Sequence, residues 1–406
     1  PSIIRRDIKR GIKNTKIIEL PSRKSAIHEA IKSLKTGELL LVAGKGHEKT
    51  QDYGKRKLFF SDKEVILKSI KLKNKLLSKD LKLNIIKEES RSKISNKLII
   101  KNISINSRTI KKNDVFFAIK GERTDGNKFV PEAFRNNSSL AIVNKINKDC
   151  KISKQVKVKN TLSFLTKCSS IFRENINAKI ISITGSCGKT TLKEMIGHTL
   201  KSISKTTYSP KSFNNKYGVP LSLFDLKQDD KFGVLEVGMD KKGEIDNLTK
   251  IIRPDLGVIT NISYAHAKNF KSINKIAEAK AEIMNNIKKG GIVVLNMDDS
   301  FYDFHKKFAF KKKLKCITFG IYNKSSMVKL YKIKKLENKY ELFIKIQGFF
   351  FSFYSNNNNK SHLYNILATI ASISSFINIK KLKKDIFLSF QTPDGRGDIS
   401  KIKLKN

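Results

Sequence analysis

Residues 179–195 read KIISITGSCGKTTLKEM, and this stretch determines the expected fold. Residues 179–184 are an apolar, β-branched run, which predicts a buried strand. The small residues 185–188 leave space for a ligand to approach the backbone, and an amphipathic helix pattern begins at Lys189. A strand, a glycine loop and a helix N-terminus in this order direct backbone N–H groups at one point. The stretch therefore predicts a phosphate-binding site.

The polar side chains of this loop suit a nucleoside triphosphate bound with Mg²⁺. Lys189 would place a positive charge on the β- and γ-phosphates, and the Thr190 hydroxyl would be a ligand for Mg²⁺. Ile183 stands where the longer P-loop pattern has its first glycine, so the chain carries the short form TGxxGKT. The alternative is an ordinary glycine turn, but the GKT triplet and both flanking elements favour ATP. The predicted nucleotide-binding residues of the loop are Gly185, Ser186, Cys187, Gly188, Lys189, Thr190 and Thr191.

Composition limits the possible function classes. The chain has 406 residues, with 83 Lys and Arg against 36 Asp and Glu, which gives a net charge of +47. These lysines are spread along the whole chain, so we attribute them to compositional bias rather than to a nucleic-acid patch; a nucleic-acid-dependent NTPase is the alternative. The four cysteines are far apart and form no C-x-x-C pair. This argues against disulfides and zinc, and with the lack of long apolar runs predicts a cytoplasmic protein without membrane insertion.

The chain divides into segments of different pattern. The longest segment alternates strand and helix patterns regularly, which predicts an α/β fold with a mostly parallel sheet and helices on both faces. Its predicted strands are residues 179–184, 232–237, 256–261, 291–296 and 315–319. The predicted domains are a small α/β unit (1–70, with a strand at 38–42), a lysine- and serine-rich linker (71–97), a smaller α/β domain (98–177), the central domain (178–397) and the start of a further domain (398–406).

Two candidate residues follow strands of the central domain. Glu236 ends the apolar strand FGVLEVG, where a carboxylate beside a phosphate loop would hold Mg²⁺. His266 follows the strand LGVITNI and can meet a metal or a phosphate. The alternatives are a solvent-facing carboxylate and a structural histidine.

Lys280 lies in the middle of an apolar helix stripe. The apolar positions 273, 276, 277, 283, 284 and 287 surround it at helical spacing. A buried lysine is costly unless it is paired or chemically altered, so we expect a neutralised or modified side chain near the metal. The alternative is a side chain that extends along the helix edge to solvent.

Several longer motifs together resemble the Mur ligase family, over about residues 103–396. They are TGSCGKTT, SFNNKYGVP, LEVGMDKKGEI, PDLGVITNISYAH, IAEAKAEI, LNMDDS and HLYNILA. Within the family, NNKYGVPLSLF with EVGMDKKGEI is similar to the ligases that add D-alanyl-D-alanine to UDP-N-acetylmuramoyl-tripeptide. The resemblance implies a UDP-binding domain, a central ATPase and a third domain that binds the amine. It also implies a monomer that uses ATP and Mg²⁺ and forms an acyl phosphate.

The resemblance further implies a role for each matching residue. Lys189 would bind the β- and γ-phosphates, Thr190 and Glu236 would hold one Mg²⁺, His266 would hold a second, and Lys280 would be carbamylated. The remaining implied residues are Asn365 at the adenine, Arg396 at the nucleotide near the hinge, Ser107 and Arg108 at the uridine diphosphate, and Asn214 and Asn215 at the substrate. Alone, Ser107 and Arg108 could hydrogen-bond a diphosphate but are more typical of a solvated turn, and Asn214 and Asn215 indicate a shaped loop.

Residues 1–70 resemble the C-terminal end of a different Mur ligase, the tripeptide-forming enzyme. GELLLVAGKGHE followed by Phe-Ser-Asp carries this resemblance, and Gly44 and Glu48 would help to recognise a diamino acid. We therefore expect a fragment of a natural fusion, or a read-through of adjacent genes, in which the C-terminal domain of the second ligase would follow Asn406. Alternatives are an incomplete ligase that binds ATP and UDP-substrate without turnover, or a diamino-acid-adding activity of the parent fusion. Asp240-Lys241 and Cys187 depart from the family pattern.

Overall fold

The computed structural model forms two compact units, Pro1–Lys79 and Asp80–Asn406, and we describe each unit by itself. It describes residues 10, 18–20, 22–34, 38–44, 48, 50–52, 57–96, 98–264 and 269–393. The α-helices in these ranges are α1 (Arg23–Ser33), α2 (Asp62–Ser90), α3 (Val130–Arg135), α4 (Thr161–Glu174), α5 (Lys189–Lys201), α6 (Gly218–Asp225), α7 (Glu244–Ile252), α8 (Ile273–Ala281), α9 (Tyr302–Lys311) and α10 (Lys360–Ile373).

The strands belong to three sheets. They are β1 (Thr50–Asp52), β2 (Lys57–Phe59), β3 (Ile103–Ser104), β4 (Val115–Phe117), β5 (Leu140–Val143), β6 (Gln155–Lys157), β7 (Lys179–Thr184), β8 (Thr206–Tyr208), β9 (Phe232–Glu236), β10 (Leu256–Ile259), β11 (Ile292–Asn296), β12 (Lys315–Gly320), β13 (Val328–Lys335), β14 (Tyr340–Ile346) and β15 (Phe349–Ser355). No helix within the described ranges combines the length and apolar character that a membrane crossing requires.

The first unit contains α1, the antiparallel pair β1–β2 and the beginning of α2. Arg23 of α1 forms two hydrogen bonds with the Asp62 carboxylate, of 2.8 and 2.6 Å. The strand predicted at residues 38–42 is wrong, because the structure gives these residues no strand. Strands need a partner for their backbone groups, and the described residues of this unit pair only β1 with β2.

The segment predicted as a linker, residues 71–97, is mostly helical. It belongs to α2 as far as Ser90, and the boundary between the two units falls inside it. Lysine is a good helix former and the segment lacks glycine and proline, which explains the helix. Leu83, Ile85 and Ile86 are buried in the second unit, which gives the end of α2 a packed face. The other domain boundaries stay predictions.

The second unit holds two sheets. Strands β3, β4, β5 and β6 form a small parallel sheet in sequence order. The larger sheet has nine strands in the order β15-β14-β13-β12-β11-β10-β7-β9-β8. Its pairings are parallel from β8 to β13 and antiparallel from β13 to β15. The prediction of an α/β fold with a mostly parallel sheet is confirmed, and the five predicted strands are present with small differences at their ends.

Helices cover both faces of the large sheet. Ile181 and Ile183 of β7 pack with Leu192 and Met195 of α5 in one core, which α10 also joins. On the opposite face, Gly257 of β10 approaches the segment after α8 so closely that an added Cβ would lie 2.9 Å from Ile287. The antiparallel strands β13–β15 were not predicted. Strand β15 ends the sheet, and Phe349 and Phe350 at its start are 71% and 55% exposed.

Arg173 at the end of α4 joins this helix to the large sheet. Only 3% of its side chain is exposed, and its guanidinium donates to the carbonyl oxygens of Ile252 and Ile176 at 2.8 Å and contacts Asp255 at 3.4 Å. Burial lowers the pKa of Arg173 to about 10, although Asp255 opposes this shift. The arginine thus fixes α4 against the start of β10.

Replacing Arg173 by Met should destabilise the second unit. The change leaves two backbone carbonyls and the buried Asp255 without this donor, so we expect the free energy of unfolding to fall by about 3 kcal/mol. Urea unfolding followed by circular dichroism measures this. Arg135→Met, at an exposed arginine, should change it by less than about 0.5 kcal/mol. Equal stability of the two variants would contradict the assignment.

Candidate active site

The glycine loop after β7 has a backbone that only glycine accommodates. Gly185 has a φ of +147° and Gly188, the residue before α5, a φ of +80°. A Cβ on Gly185 would lie 1.8 Å from Oγ1 of Thr260, which follows β10. Since L-residues rarely adopt such φ values, these two glycines are required by geometry. The structure therefore favours a loop with a specific, closely packed backbone conformation over an ordinary glycine turn.

The end of β10 holds this loop in place. The backbone N–H groups of Ser186 and Cys187 donate to the backbone and side-chain oxygens of Asn261, at 2.9 and 3.1 Å. Thr260 Oγ1 donates to the carbonyl of Cys187 at 2.7 Å, and the Ser263 N–H donates to Ser186 Oγ at 2.9 Å. The loop is thus fixed at both central residues before any ligand arrives.

Two lysines converge on one carbonyl oxygen of the loop. Lys189 Nζ and Lys280 Nζ each donate to the oxygen of Gly185, both at 2.9 Å. Lys280 is 1% exposed, which confirms the predicted burial and excludes the extended, solvent-reaching alternative. Burial and, second, the charge of Lys189 lower the pKa of Lys280 to about 7. A substantial fraction of this amine is therefore neutral at physiological pH.

A carboxylate and a hydroxyl lie beside the loop. Glu236 is 1% exposed and ends β9, which pairs with β7 so that Glu236 stands opposite Ile183. Its two oxygens accept from Thr190 Oγ1 at 2.9 Å and from Asn214 Nδ2 at 2.8 Å. The solvent-facing alternative for Glu236 is thereby excluded. Hydroxyl and carboxylate oxygens are ligands that Mg²⁺ prefers, so the pair fits this metal.

The pair does not amount to a full metal centre by itself. Among the described residues there is no group of three or more His, Cys, Asp or Glu that could hold a metal ion. Magnesium usually takes one or two carboxylates and completes its shell with water and phosphate oxygens. His266, the predicted second ligand, lies outside the described residues, as does Arg396.

Two cavities meet at the glycine loop and share Cys187 and Gly188. The larger has a volume of about 840 Å³ and the smaller about 370 Å³. The larger is lined by Lys189, Thr190, Glu236, Asn214, Asn215 and, from the smaller sheet's part of the chain, Glu122. The smaller is lined by Thr260, Asn261, Asn296, Phe319, Tyr364 and Asn365. The loop therefore faces two compartments, one that contains Lys189, Thr190 and Glu236 and one that has aromatic walls.

The other predicted residues are placed as follows. Asn365 of α10 lines the smaller cavity, and a Cβ on Gly188 would lie 3.4 Å from its Oδ1. Asn215 Oδ1 accepts from the N–H groups of Tyr217 and Gly218 and so shapes the start of α6. Ser107 is buried and donates to Glu132 at 2.6 Å, while Arg108 is exposed; neither lines the two cavities. In the first unit, Gly44 has a φ of +111° and Glu48 is exposed.

Sequence reasoning missed several contributors. Thr260 lies in the motif PDLGVITNISYAH, but the sequence assigned it no role, because that role depends on how closely β10 approaches the glycine loop. Ser212 lies in SPKSFNNKYGVP, which signalled only a shaped loop, yet its hydroxyl is 3.4 Å from that of Thr190. Lys193 follows the GKTTL run and is completely buried, which an amphipathic pattern alone does not reveal.

Comparisons with known proteins identify the family of this chain. The Mur ligase middle domain matches residues 183–373, and the catalytic domain of the Mur ligase family matches residues 99–166. The UDP-N-acetylmuramoyl-tripeptide--D-alanyl-D-alanine ligase of Buchnera aphidicola is 34% identical over 56% of this chain and 49% of its own length. The corresponding enzyme of Rickettsia prowazekii is 37% identical over 52% and 46%. The chain thus spans about half the length of the curated relatives it matches.

Solved structures give the same picture. MurF from Acinetobacter baumannii superimposes with a TM-score of 0.70 at 27% identity, covering 78% of this chain and 70% of that one. MurF from Thermotoga maritima, solved in complex with ADP, has a TM-score of 0.66 at 26% identity, covering 76% and 70%.

Proposed function

The chain belongs to the Mur ligase family, and we propose that it carries the ATP- and UDP-substrate-binding portion of a D-alanyl-D-alanine-adding ligase. The proposed reaction joins D-alanyl-D-alanine to UDP-N-acetylmuramoyl-tripeptide. The observation that supports it is the hydrogen-bonded set of Thr190, Glu236 and Asn214 beside a rigid glycine loop with two lysines. Such a set suits ATP-driven activation of a carboxylate.

The loop would position the phosphates of ATP. The N-terminus of α5 and the Lys189 ammonium would bind the β- and γ-phosphates, and Lys189 would exchange its contact with the Gly185 carbonyl for a phosphate oxygen. Thr190 and Glu236 would hold Mg²⁺, which when bound neutralises the charge that develops on the transferred phosphoryl group. Positioning and charge neutralisation are the main demands of this chemistry.

The two cavities would divide the substrates. The smaller one, with Asn365 and aromatic walls, would take the adenosine, because flat apolar surfaces suit a base. The larger one would take the γ-phosphate and the terminal carboxylate of the UDP-linked tripeptide. That carboxylate attacks the γ-phosphorus, so an acyl phosphate forms and ADP leaves. The amine of D-alanyl-D-alanine then attacks the acyl carbon, and phosphate departs as the amide bond forms.

Lys280 is the proposed site of carbamylation. Carbon dioxide reacts with a neutral amine, and burial beside Lys189 lowers the pKa of Lys280 to about 7. The product is an anionic carbamate in place of a cation, which removes the repulsion between the two lysines. Its position next to the Gly185 carbonyl would put that negative charge close to the phosphate loop.

Incubation with ¹³C-bicarbonate should give a carbamate carbon resonance in the NMR spectrum of the protein. Because only the neutral amine reacts, and its fraction grows as pH rises through about 7, the signal should increase between acidic and mildly alkaline pH. Lys280→Ala should abolish it, whereas Lys275→Ala, at an exposed lysine of the same helix, should retain it. An unchanged resonance in Lys280→Ala would refute the assignment.

ATP-dependent phosphate release tests the proposed function. We expect release to require UDP-N-acetylmuramoyl-tripeptide and to be completed by D-alanyl-D-alanine. Release that needs only the UDP-tripeptide would indicate activation without joining, and nucleotide binding without release would indicate a binding module. A protein that binds neither ATP nor the UDP-tripeptide would overturn the proposal.

A further inference from the structure

Lys193 is a buried cation for which phosphate binding provides no role. It lies on α5, three residues after Thr190, so both side chains occupy one side of the helix. Its side chain is completely buried. A charged group is retained in such a place only when its donors are satisfied, because an unpaired buried charge is strongly destabilising.

The ammonium of Lys193 has three polar partners. Nζ donates to the carbonyl oxygens of Ser209 at 2.6 Å and Lys211 at 2.5 Å, and it forms an ion pair with Glu194 at 2.9 Å. Two of these partners are backbone groups of the loop that follows β8. The ammonium therefore connects α5 to this loop through two hydrogen bonds, and the ion pair with Glu194 of the same helix balances its charge.

The loop held by Lys193 carries the groups that surround Glu236. Asn214 Nδ2 donates to Glu236 Oε1 at 2.8 Å, and the carbonyl of Asn214 accepts from Gly238 N at 2.7 Å. Ser212 Oγ lies 3.4 Å from Thr190 Oγ1. Lys211 has a φ of +46°, a left-handed conformation that a non-glycine residue adopts only when its surroundings enforce it.

We propose that Lys193 is a positioning residue for the metal–nucleotide end of the site. Lys193 and Thr190 lie on α5, whereas Asn214 lies on the loop after β8 and hydrogen-bonds Glu236 at the end of β9. By holding this loop against α5, Lys193 sets the distance between Thr190 and the Asn214–Glu236 pair. This inference rests on the proposed function, since it concerns the oxygens that would hold Mg²⁺. Lys193 forms its hydrogen bonds with the Ser209 and Lys211 carbonyls rather than with Thr190 or Glu236, so it acts through this loop. Losing it should therefore weaken the metal site more than the phosphate loop.

Binding of a non-hydrolysable ATP analogue, AMP-PNP, with and without Mg²⁺ tests this. Wild-type protein should bind AMP-PNP more tightly in excess Mg²⁺ than in EDTA. In Lys193→Met the affinity in EDTA should stay within about twofold of wild type, while the gain from Mg²⁺ should fall about tenfold or more, as for other residues that orient metal ligands. Lys201→Met, at an exposed lysine in the last turn of α5, should behave as wild type.

Lys193→Gln keeps two donors for the two carbonyl oxygens and provides a folded variant if the Met variant does not fold. It should retain more of the Mg²⁺ gain than Lys193→Met, and circular dichroism establishes that each variant is folded. Equal losses with and without Mg²⁺, or an unchanged gain, would overturn the positioning role. A wild-type protein that binds no AMP-PNP would overturn the proposed function and this inference together.

Discussion

Replacing Lys189 by Ala should lower the affinity for ATP and reduce ATP-dependent phosphate release by at least about 100-fold. The variant removes the ammonium that lies 2.9 Å from the Gly185 carbonyl at the mouth of the phosphate loop. Helix N-terminal N–H groups would remain, so some binding should persist while the charge that stabilises phosphoryl transfer is lost. Isothermal titration with ATP and phosphate release with the UDP-tripeptide measure the two effects.

Lys201→Ala is the matched control for this experiment. It removes the same charge from the other end of α5, where the ammonium lies over the ring of Tyr208 rather than near the loop. Its ATP affinity and turnover should equal those of wild type. If Lys189→Ala also kept full turnover, the phosphate site would have to lie elsewhere in the chain.

Gly185→Ala should have the largest effect on the fold around the site. The new Cβ would lie 1.8 Å from Thr260 Oγ1, and φ is +147°, so the substitution combines steric overlap with backbone strain. Strain of this kind costs about 1–3 kcal/mol and overpacking a similar amount. We expect the free energy of unfolding to fall by about 3 kcal/mol or more, with loss of ATP binding, measured by urea unfolding and titration.

Two further variants separate the causes of that loss. Gly243→Ala has a φ of +90° but nothing within 4 Å of the new Cβ, so it should show the cost of strain alone, about 1 kcal/mol. Gly185→Ala combined with Thr260→Ala removes the Oγ1 overlap and should recover part of the stability. Equal stability of Gly185→Ala and Gly243→Ala would mean that the Thr260 side chain moves away from the new Cβ without lowering the free energy of unfolding.

The parts of the site that the sequence predicts are those coded by local pattern. The glycine loop, Glu236 and Lys280 each follow from a strand end or a helix stripe, and the large parallel sheet follows from repeated strand–helix alternation. Thr260 and Lys193 could not be predicted, because their importance arises where segments distant in sequence touch. Thr260 matters through β10 approaching the loop, and Lys193 through two carbonyls beyond β8.

The differences between prediction and structure in the first 97 residues have a similar origin. Residues 38–42 have a strand-like composition, but composition does not supply a neighbouring strand, and the structure assigns them none. The lysine- and serine-rich composition of residues 71–97 predicts a linker, and the boundary between the units does fall there, but helix propensity and the buried face at Leu83 and Ile86 make residues 71–90 part of α2. In both cases the outcome depends on which other segment the residues pair with or pack against, and a single sequence does not give that information.

Strand β15 forms one edge of the nine-stranded sheet; Phe349 and Phe350 at its start are exposed, while near its end the Tyr354 N–H donates to the Lys384 carbonyl at 2.7 Å. Such edges are templates on which other chains aggregate, and lysines near them act as gatekeepers. The net charge of +47 repels approaching copies, so the lysine bias has a colloidal benefit independent of any ligand. High ionic strength shortens the range of this repulsion to a few ångströms, which makes dilute salt the safer medium for concentrating the protein.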